Sequence, residues 1–147
     1  MTNVLDVRGI HGRPARIREI RKMAGRAMLD GPHDYKVADL EGPLLDLAVS
    51  KAEGLKAVIH QVDNAIEPFF ECCVLNECGR LQYQYIPSRL WTQGGAIMER
   101  EMLGVMPVSD AWWRAGDVDG ADGFGPTPLI AAMRCFVAAK LGDTVRM

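Results

Sequence analysis

The chain lacks any long apolar run. No stretch approaches the roughly 18 consecutive apolar residues of a membrane-spanning helix, and no apolar segment follows the N-terminal charges as it would in a secretory signal. These absences argue against a transmembrane protein and against a secreted one. We therefore predict a cytoplasmic protein that has no membrane partner.

The chain also lacks the motifs of the common enzyme classes. The G-x-S-x-G elbow, the phosphate-binding P-loop and the dinucleotide-binding fingerprint are all absent. Only three histidines occur, His11, His33 and His60, and none lies in a recognisable motif with a serine or cysteine. The sequence favours a protein without catalytic residues and predicts no cofactor.

Cysteines are few, and they do not form a standard zinc motif. A zinc site could combine Cys72, Cys73 and Cys78 with His60 or Cys135. However, zinc ligand pairs usually occur as C-x₂₋₄-C, and adjacent side chains of a strand point to opposite faces. We therefore interpret the cysteines as buried apolar thiols and predict no metal site.

The acidic, glycine-rich segment at 116–125 does not match a calcium loop. If Asp117 is taken as the first loop position, the fifth is Ala121 and the obligatory glycine position is Asp122. The pattern favours a solvated loop.

Charge divides the chain into two parts. Residues 1–36 hold eight Lys/Arg and four Asp/Glu, a net charge of +4; because the whole chain carries −2, residues 37–147 carry −6. Residues 14–28 have the spacing of a basic amphipathic helix, weakened by Gly25. We predict a basic N-terminal extension over 1–35, disordered or partly helical, followed by a domain over 36–147.

The N-terminal helix offers candidate contacts to a nucleic acid. Its cationic residues are Arg16, Arg18, Arg21, Lys22 and Arg26. They could bind a phosphate backbone, or they could form a solvated face or contact another partner. Since aromatic and base-reading residues are missing, nucleic-acid binding is possible but not favoured.

Periodicity predicts a small two-layer α+β domain in the order helix, hairpin, helix, hairpin, helix, with one mostly antiparallel sheet covered by helices. The predicted helices cover 41–53, 89–101 (with Ser88 as N-cap) and 128–141 (Thr127 as N-cap, Gly142 as terminator). The predicted hairpins pair 72–75 with 81–85 and 102–108 with 111–116. Because the last helix is apolar almost all round, we expect it to be central or shared across a two-fold homodimer.

The second predicted helix contains an unusual pair, Gly94-Gly95, in the stretch SRLWTQGGAIMERE. Two glycines in a helix cost roughly 2 kcal/mol relative to alanine, so either close packing or a ligand that needs exposed backbone must compensate. We favour packing. The candidate ligand or partner surface comprises Trp91, Gln93, Gly94, Gly95, Glu99, Trp112, Trp113 and Arg134.

Four segments resemble, in order, the NinX-like proteins of phages and prophages. They are DLEGPLLDLAVSKAEGL, PSRLWTQGGAIMERE, WWRA and FGPTPLIAAMRCFVAAKLGD, and the resemblance covers about 36–145. Leu90 and Ala96 depart from the family, which often has Asp and Pro there. The resemblance implies a prophage-encoded accessory protein in a bacterial host cell, and it implies no reaction.

Three hypotheses for function follow. The first is a non-catalytic accessory protein that binds a host or phage macromolecule through an exposed apolar patch near Trp91, Trp112 or Trp113. The second is a protein that binds a small ligand, such as a nucleotide, where Gln93, Gly94, Gly95 and Arg134 converge. The third is nucleic-acid binding through the basic extension.

Overall fold

The computed structural model describes residues 31–64 and 66–147. The predicted basic helix at 14–28 and its five candidate contacts lie outside these residues, so the division at residue 35 stays a prediction.

The described residues contain three α-helices and eight strands. The helices are α1 (Gly42–Ala52), α2 (Trp91–Arg100) and α3 (Pro128–Leu141), and a 3₁₀ turn covers Val37–Asp39. The strands are β1 (Asp34–Lys36), β2 (Ala57–Val62), β3 (Phe69–Leu75), β4 (Leu81–Gln84), β5 (Gly104–Ser109), β6 (Trp112–Gly116), β7 (Asp122–Gly125) and β8 (Thr144–Arg146). The mixed α+β class is confirmed. In the described residues β3 pairs with β4 and β5 pairs with β6, both antiparallel.

The strands form three antiparallel sheets rather than the single sheet that we predicted. The first sheet has the order β2-β3-β4, the second sheet has the order β5-β6-β7, and β1 pairs with β8. Each predicted hairpin acquires a third strand of its own, and α2 separates the two sheets along the chain. The first sheet packs against α1 and the second against α3, so each sheet buries one face on a different helix.

Two local predictions were wrong. The segment interpreted as a loop contains β7, which pairs with β6. Gly123 and Gly125 reflect the close approach of α3, whereas Gly120 has φ +95° in the turn before β7. Ser88 does not cap α2, since the N-cap is Leu90 without a side-chain bond. Ser88 is buried instead, and its N–H donates to Asp46 Oδ1 at 2.9 Å.

Helix α3 is the centre of the core, as the apolar sequence predicted. Its residues 131–137 are all buried, and it contacts α1, α2 and every strand of the second sheet. The helix begins as predicted, with Thr127 Oγ1 accepting the N–H of Ile130 at 3.1 Å, and Gly142 ends it at φ +90°. Since the chain buries this helix by itself, its apolar character does not require a homodimer.

Candidate functional site

The two central glycines of α2 have different surroundings. A Cβ on Gly94 would collide with the carbonyl oxygen of Pro87 and would lie 2.8 Å from Leu129 Cδ2. A Cβ on Gly95 would meet only the Trp91 ring, at 3.5 Å, which is an ordinary contact. The geometry therefore supports the packing interpretation for Gly94, and it does not require glycine at position 95.

The polar and aromatic candidates of α2 are not directed toward a common ligand position. The side-chain amide of Gln93 accepts the N–H of Ile86 at 2.7 Å and donates to the carbonyl oxygen of Gln84 at 3.0 Å. It therefore attaches α2 to the end of β4. Trp91 is 55% exposed and Glu99 is exposed, at the protein surface.

Arg134 is a buried anchor in the core. Only 4% of this residue is exposed. Its Nε donates to the carbonyl oxygen of Leu40 at 3.0 Å, its Nη1 to that of Phe124 at 2.7 Å, and its Nη2 lies 3.3 Å from Glu41 Oε1. The guanidinium thus joins the start of α1 to β7, because a planar group with five donors can satisfy several acceptors at once.

Trp112 and Trp113 point to opposite faces of β6. Trp113 packs against the core, whereas Trp112 is 40% exposed. In the register of the second sheet, Met106 lies opposite Arg114 and Arg114 lies opposite Phe124. Since Trp112 and Arg114 are two positions apart, they share that outer face. We call Met106, Trp112 and Phe124 the apolar face.

The side chains of the apolar face are substantially exposed. Met106 is 55% exposed and Phe124 41%, and Val108 is also exposed at the irregularity of β5. Its charged neighbour, Arg114, lies 3.5 Å from Asp122 in an ion pair on the same face. Several large apolar side chains grouped on one surface are typical of a binding site.

A pocket of about 370 Å³ adjoins the apolar face. Trp112 and Phe124 contribute to its wall together with Arg134, Lys36 and Asp122. Gln93, Gly94 and Gly95 are not among the described residues that line this pocket. The structure therefore brings together two of the predicted residues, Trp112 and Arg134, and separates them from the candidates on α2.

Sequence reasoning missed Met106 and Phe124 as surface residues. Phe124 lies between two glycines in the segment interpreted as a loop, and its outward direction follows only from the pairing of β7 with β6. Alternation along β5 could have indicated Met106, but Pro107 obscures that pattern. Lys36 and Asp122 come to the pocket from distant parts of the chain, and no local signal predicts this.

A buried carboxyl group lies between α1 and the start of α2. Asp46 is fully buried, and burial raises its pKa to about 6, while the hydrogen bond from the Ser88 N–H opposes that shift. Among the described residues, neither Asp46 Oδ2 nor Ser88 Oγ has a hydrogen-bond partner. Ionised Asp46 is therefore poorly solvated.

The adjacent cysteines point to opposite faces of β3, as predicted, but the interpretation of the cysteines as buried was wrong for Cys78, which is exposed. Cys72 lies opposite Ile59 in the core, and burial raises its pKa far above the ordinary value. Cys73 lies on the other face, where its thiol donates to Glu71 Oε1 at 3.5 Å. Burial and then Glu71 raise the pKa of Cys73 to about 11, so both thiols are protonated at neutral pH.

In the part of the chain that the structure describes, none of the helices combines the length and the apolar character that crossing a bilayer requires.

Comparison with known families then places this small α+β domain among phage proteins. The family model described as Bacteriophage P22, NinX matches residues 36–140, more than two thirds of the chain, and the chain belongs to that family. The resemblance inferred from the four sequence segments is thus confirmed. A comparison with curated proteins gives no match.

Proposed function

We propose that this protein is a non-catalytic phage accessory protein, acting in the cytoplasm of a bacterial host, which binds a protein partner through the apolar face. The observation that carries the proposal is the grouping of Met106, Trp112 and Phe124 on one outer surface of the second sheet. Burying such a surface against a partner is favourable by roughly 25 cal/mol per Å² of apolar area. The family provides the phage context.

Charge favours a protein partner over a nucleic acid at this surface. Residues 37–147 carry a net charge of −6, which repels a phosphate backbone at long range. Arg114, which shares the outer side of the second sheet with the apolar face, is paired with Asp122. Tryptophan on an apolar surface is instead typical of residues that contribute most to protein–protein binding.

The proposal is tested by comparing matched tryptophan variants as baits. Tagged wild-type protein, Trp112→Ala and Trp91→Ala would each be used to capture proteins from phage-producing cells. Trp91 is the control because it is exposed but lies on α2. We expect a protein retained by wild type and by Trp91→Ala to be lost with Trp112→Ala. That protein is then purified and its Kd measured with the same three variants.

Two results would contradict the proposal. Equal capture by all three baits would show that the apolar face is not the binding surface. A Kd that is unchanged by Trp112→Ala would do the same for any partner that was identified, because a central interface tryptophan is expected to contribute about 2 kcal/mol or more.

The pocket beside the apolar face supports a second candidate function, the binding of a small ligand such as a nucleotide. Its volume of about 370 Å³ lies within the usual range for ligand sites. Trp112 and Phe124 could stack on a base, and Lys36 could pair with a phosphate. Arg134 is less suited to ligand binding, since its guanidinium already bonds with Leu40, Phe124 and Glu41.

A thermal-shift series with nucleotides separates the two functions. A ligand at 100 times its Kd stabilises the folded protein by about 2.7 kcal/mol. If the pocket is the site, the shift should disappear in Lys36→Ala and persist in Lys56→Ala, which lies outside this pocket. The absence of any shift would exclude the nucleotide hypothesis at the concentrations used.

Nucleic-acid binding through Arg16, Arg18, Arg21, Lys22 and Arg26 stays a third hypothesis. Deleting residues 1–35 should abolish DNA retention at low salt if those residues make the contacts. Equal retention by the full-length and shortened chains would refute it.

A further inference from the structure

The outer face of the first sheet carries three side chains that can ligate a metal. His60 lies opposite Glu71 in the register of β2 and β3, and Cys73 lies two positions after Glu71, so all three share one face. A ring nitrogen, a carboxylate oxygen and a thiol sulfur from these residues all lie within 4.8 Å of one another. The cluster therefore combines nitrogen, oxygen and sulfur donors from two neighbouring strands.

A fourth residue orients the carboxylate. Gln84 lies opposite Cys73 across β3 and β4, and its amide donates to Glu71 Oε2 at 2.6 Å. The other carboxylate oxygen, Oε1, is directed toward the thiol of Cys73 at 3.5 Å. A hydrogen bond of this kind, from a residue behind the ligand, is a common feature of protein metal sites.

His60 provides a second observation that is independent of the spacing. Its Nδ1 is buried, and the described residues supply no hydrogen-bond partner for it. Buried polar atoms of folded proteins are nearly always satisfied, so an orphan nitrogen on an imidazole that shares a face with a thiol and a carboxylate requires an explanation. A cation bound at Nδ1 would satisfy that nitrogen and fix the orientation of the ring.

We propose that His60, Glu71 and Cys73 form a zinc site on the outer face of the first sheet. Zinc binds thiolate, imidazole and carboxylate ligands together, at about 2.3, 2.0–2.1 and 2.0–2.2 Å respectively. Tetrahedral coordination at those lengths needs ligand atoms roughly 3.3–3.6 Å apart, so the three atoms, which lie within 4.8 Å of one another, must move closer when the metal binds. The thiolate favours zinc over magnesium or calcium, which prefer oxygen ligands.

Binding exchanges a proton for the metal. The S–H bond of Cys73 breaks, the proton passes to solvent, and the sulfur lone pair forms the bond to zinc. Three protein ligands leave a fourth position for water or another small ligand. The sequence-based interpretation did not include Glu71; the site becomes visible only when β2 and β3 are paired.

The proposal is tested by metal titration of the full-length chain after treatment with a chelator. We expect wild-type protein to bind one equivalent of Zn²⁺. With Co²⁺ we expect an ultraviolet absorption band from thiolate-to-metal charge transfer. Cys73→Ser should remove that band. Both Cys73→Ser and His60→Ala should raise the Kd by more than the roughly 10- to 100-fold expected for loss of an orienting residue such as Gln84.

Matched controls use the same residue types elsewhere. Cys78 and His33 are both exposed and lie outside the cluster, so Cys78→Ser and His33→Ala should leave the Kd and the cobalt band unchanged. If Cys73→Ser fails to fold by circular dichroism, His60→Ala and the near-isosteric Glu71→Gln decide the question. Substoichiometric binding by wild type, or equal binding by wild type and His60→Ala, would overturn the proposal.

Discussion

The two three-stranded sheets have the same strand order but differ on both faces. The inner face of the first sheet packs against α1 through side chains such as Ile59 and Cys72. The inner face of the second sheet includes Gly123 and Gly125, which allow the backbone of α3 to approach closely. On its outer face the first sheet carries the polar cluster of His60, Glu71 and Cys73. The outer face of the second carries the apolar face.

This difference shows that packing restricts the residues on the inner face of a sheet more than those on its outer face. The inner residues must fit a helix, so their size is restricted at each position. The outer residues make few contacts with the rest of the chain, and therefore binding rather than folding can determine their chemistry. The comparison leads to four predictions, from the largest expected effect to the smallest.

Gly123→Ala should destabilise the protein by about 3 kcal/mol and lower the Tm by roughly 10 °C. A Cβ there would lie 2.5 Å from the Ala131 carbonyl oxygen and would collide with the Cys135 amide nitrogen, and helix backbone cannot move aside cheaply. Gly116→Ala is the control, because its Cβ would lie 3.7 Å from the nearest atom, the Ala121 carbonyl oxygen. Thermal unfolding of both variants measures the effect. Equal Tm values would show that α3 adapts to the second sheet.

Asp46→Asn should stabilise the protein above pH 6 by roughly 3 kcal/mol at most. Burial raises the pKa of Asp46 from 3.8 to about 6, so the folded state holds this proton more tightly than the unfolded state. Stability contributed by the protonated form is therefore present below about pH 4 and is lost as the pH rises to 6. Asparagine removes the charge and retains an oxygen that can accept the Ser88 N–H.

Urea unfolding from pH 4 to pH 8 measures this pH dependence, with Asp110→Asn as a control because Asp110 is exposed. As the pH rises from 4 to 6, Asp46 should lower the stability of wild type and of the control. The Asp46→Asn variant should not show this decrease. A variant less stable than wild type at pH 8 would contradict the prediction, and would indicate that the carboxylate is better satisfied than its contacts suggest.

The adjacent glycines of α2, the helix that connects the two sheets, should respond in opposite directions. Gly94→Ala should cost about 2 kcal/mol through overpacking against Pro87 and Leu129. Gly95→Ala should stabilise the helix by up to about 1 kcal/mol, since only the Trp91 ring is near. Denaturant unfolding compares the two. If Gly95→Ala keeps or raises the stability and a binding activity nevertheless disappears, the result would instead support a ligand site on α2.

Met106→Ser on the apolar face should change the free energy of unfolding by less than about 0.5 kcal/mol, because most of the side chain is already exposed. The same substitution should weaken capture of the partner. Urea unfolding and the bait experiment measure the two effects separately. A stability cost above about 1 kcal/mol would mean that this face contributes to folding, and the distinction between inner and outer faces would fail.

The elements of this domain were more predictable from sequence than its site. Thr127, Pro128 and Gly142 mark the ends of α3, and alternation from Leu81 marks β4, because these signals depend on neighbouring residues. The division into three sheets was not predictable in this way, since it depends on which helix each sheet covers. Ser88 illustrates the limit: it suits an N-cap, yet Asp46, 42 positions earlier, binds its N–H.

The amino-acid sequence by itself determined the α+β class, the helices and hairpins, the contrast between basic and acidic parts, and membership of the NinX family. Each depends on composition, on local periodicity or on residues in order along the chain. Only the tertiary structure decided that Gly94 and Arg134 contact their own chain, that Trp112 joins Phe124 on an exposed face, and that His60 meets Glu71 and Cys73. The physical reason is that strand register and helix packing bring together side chains that are distant in sequence.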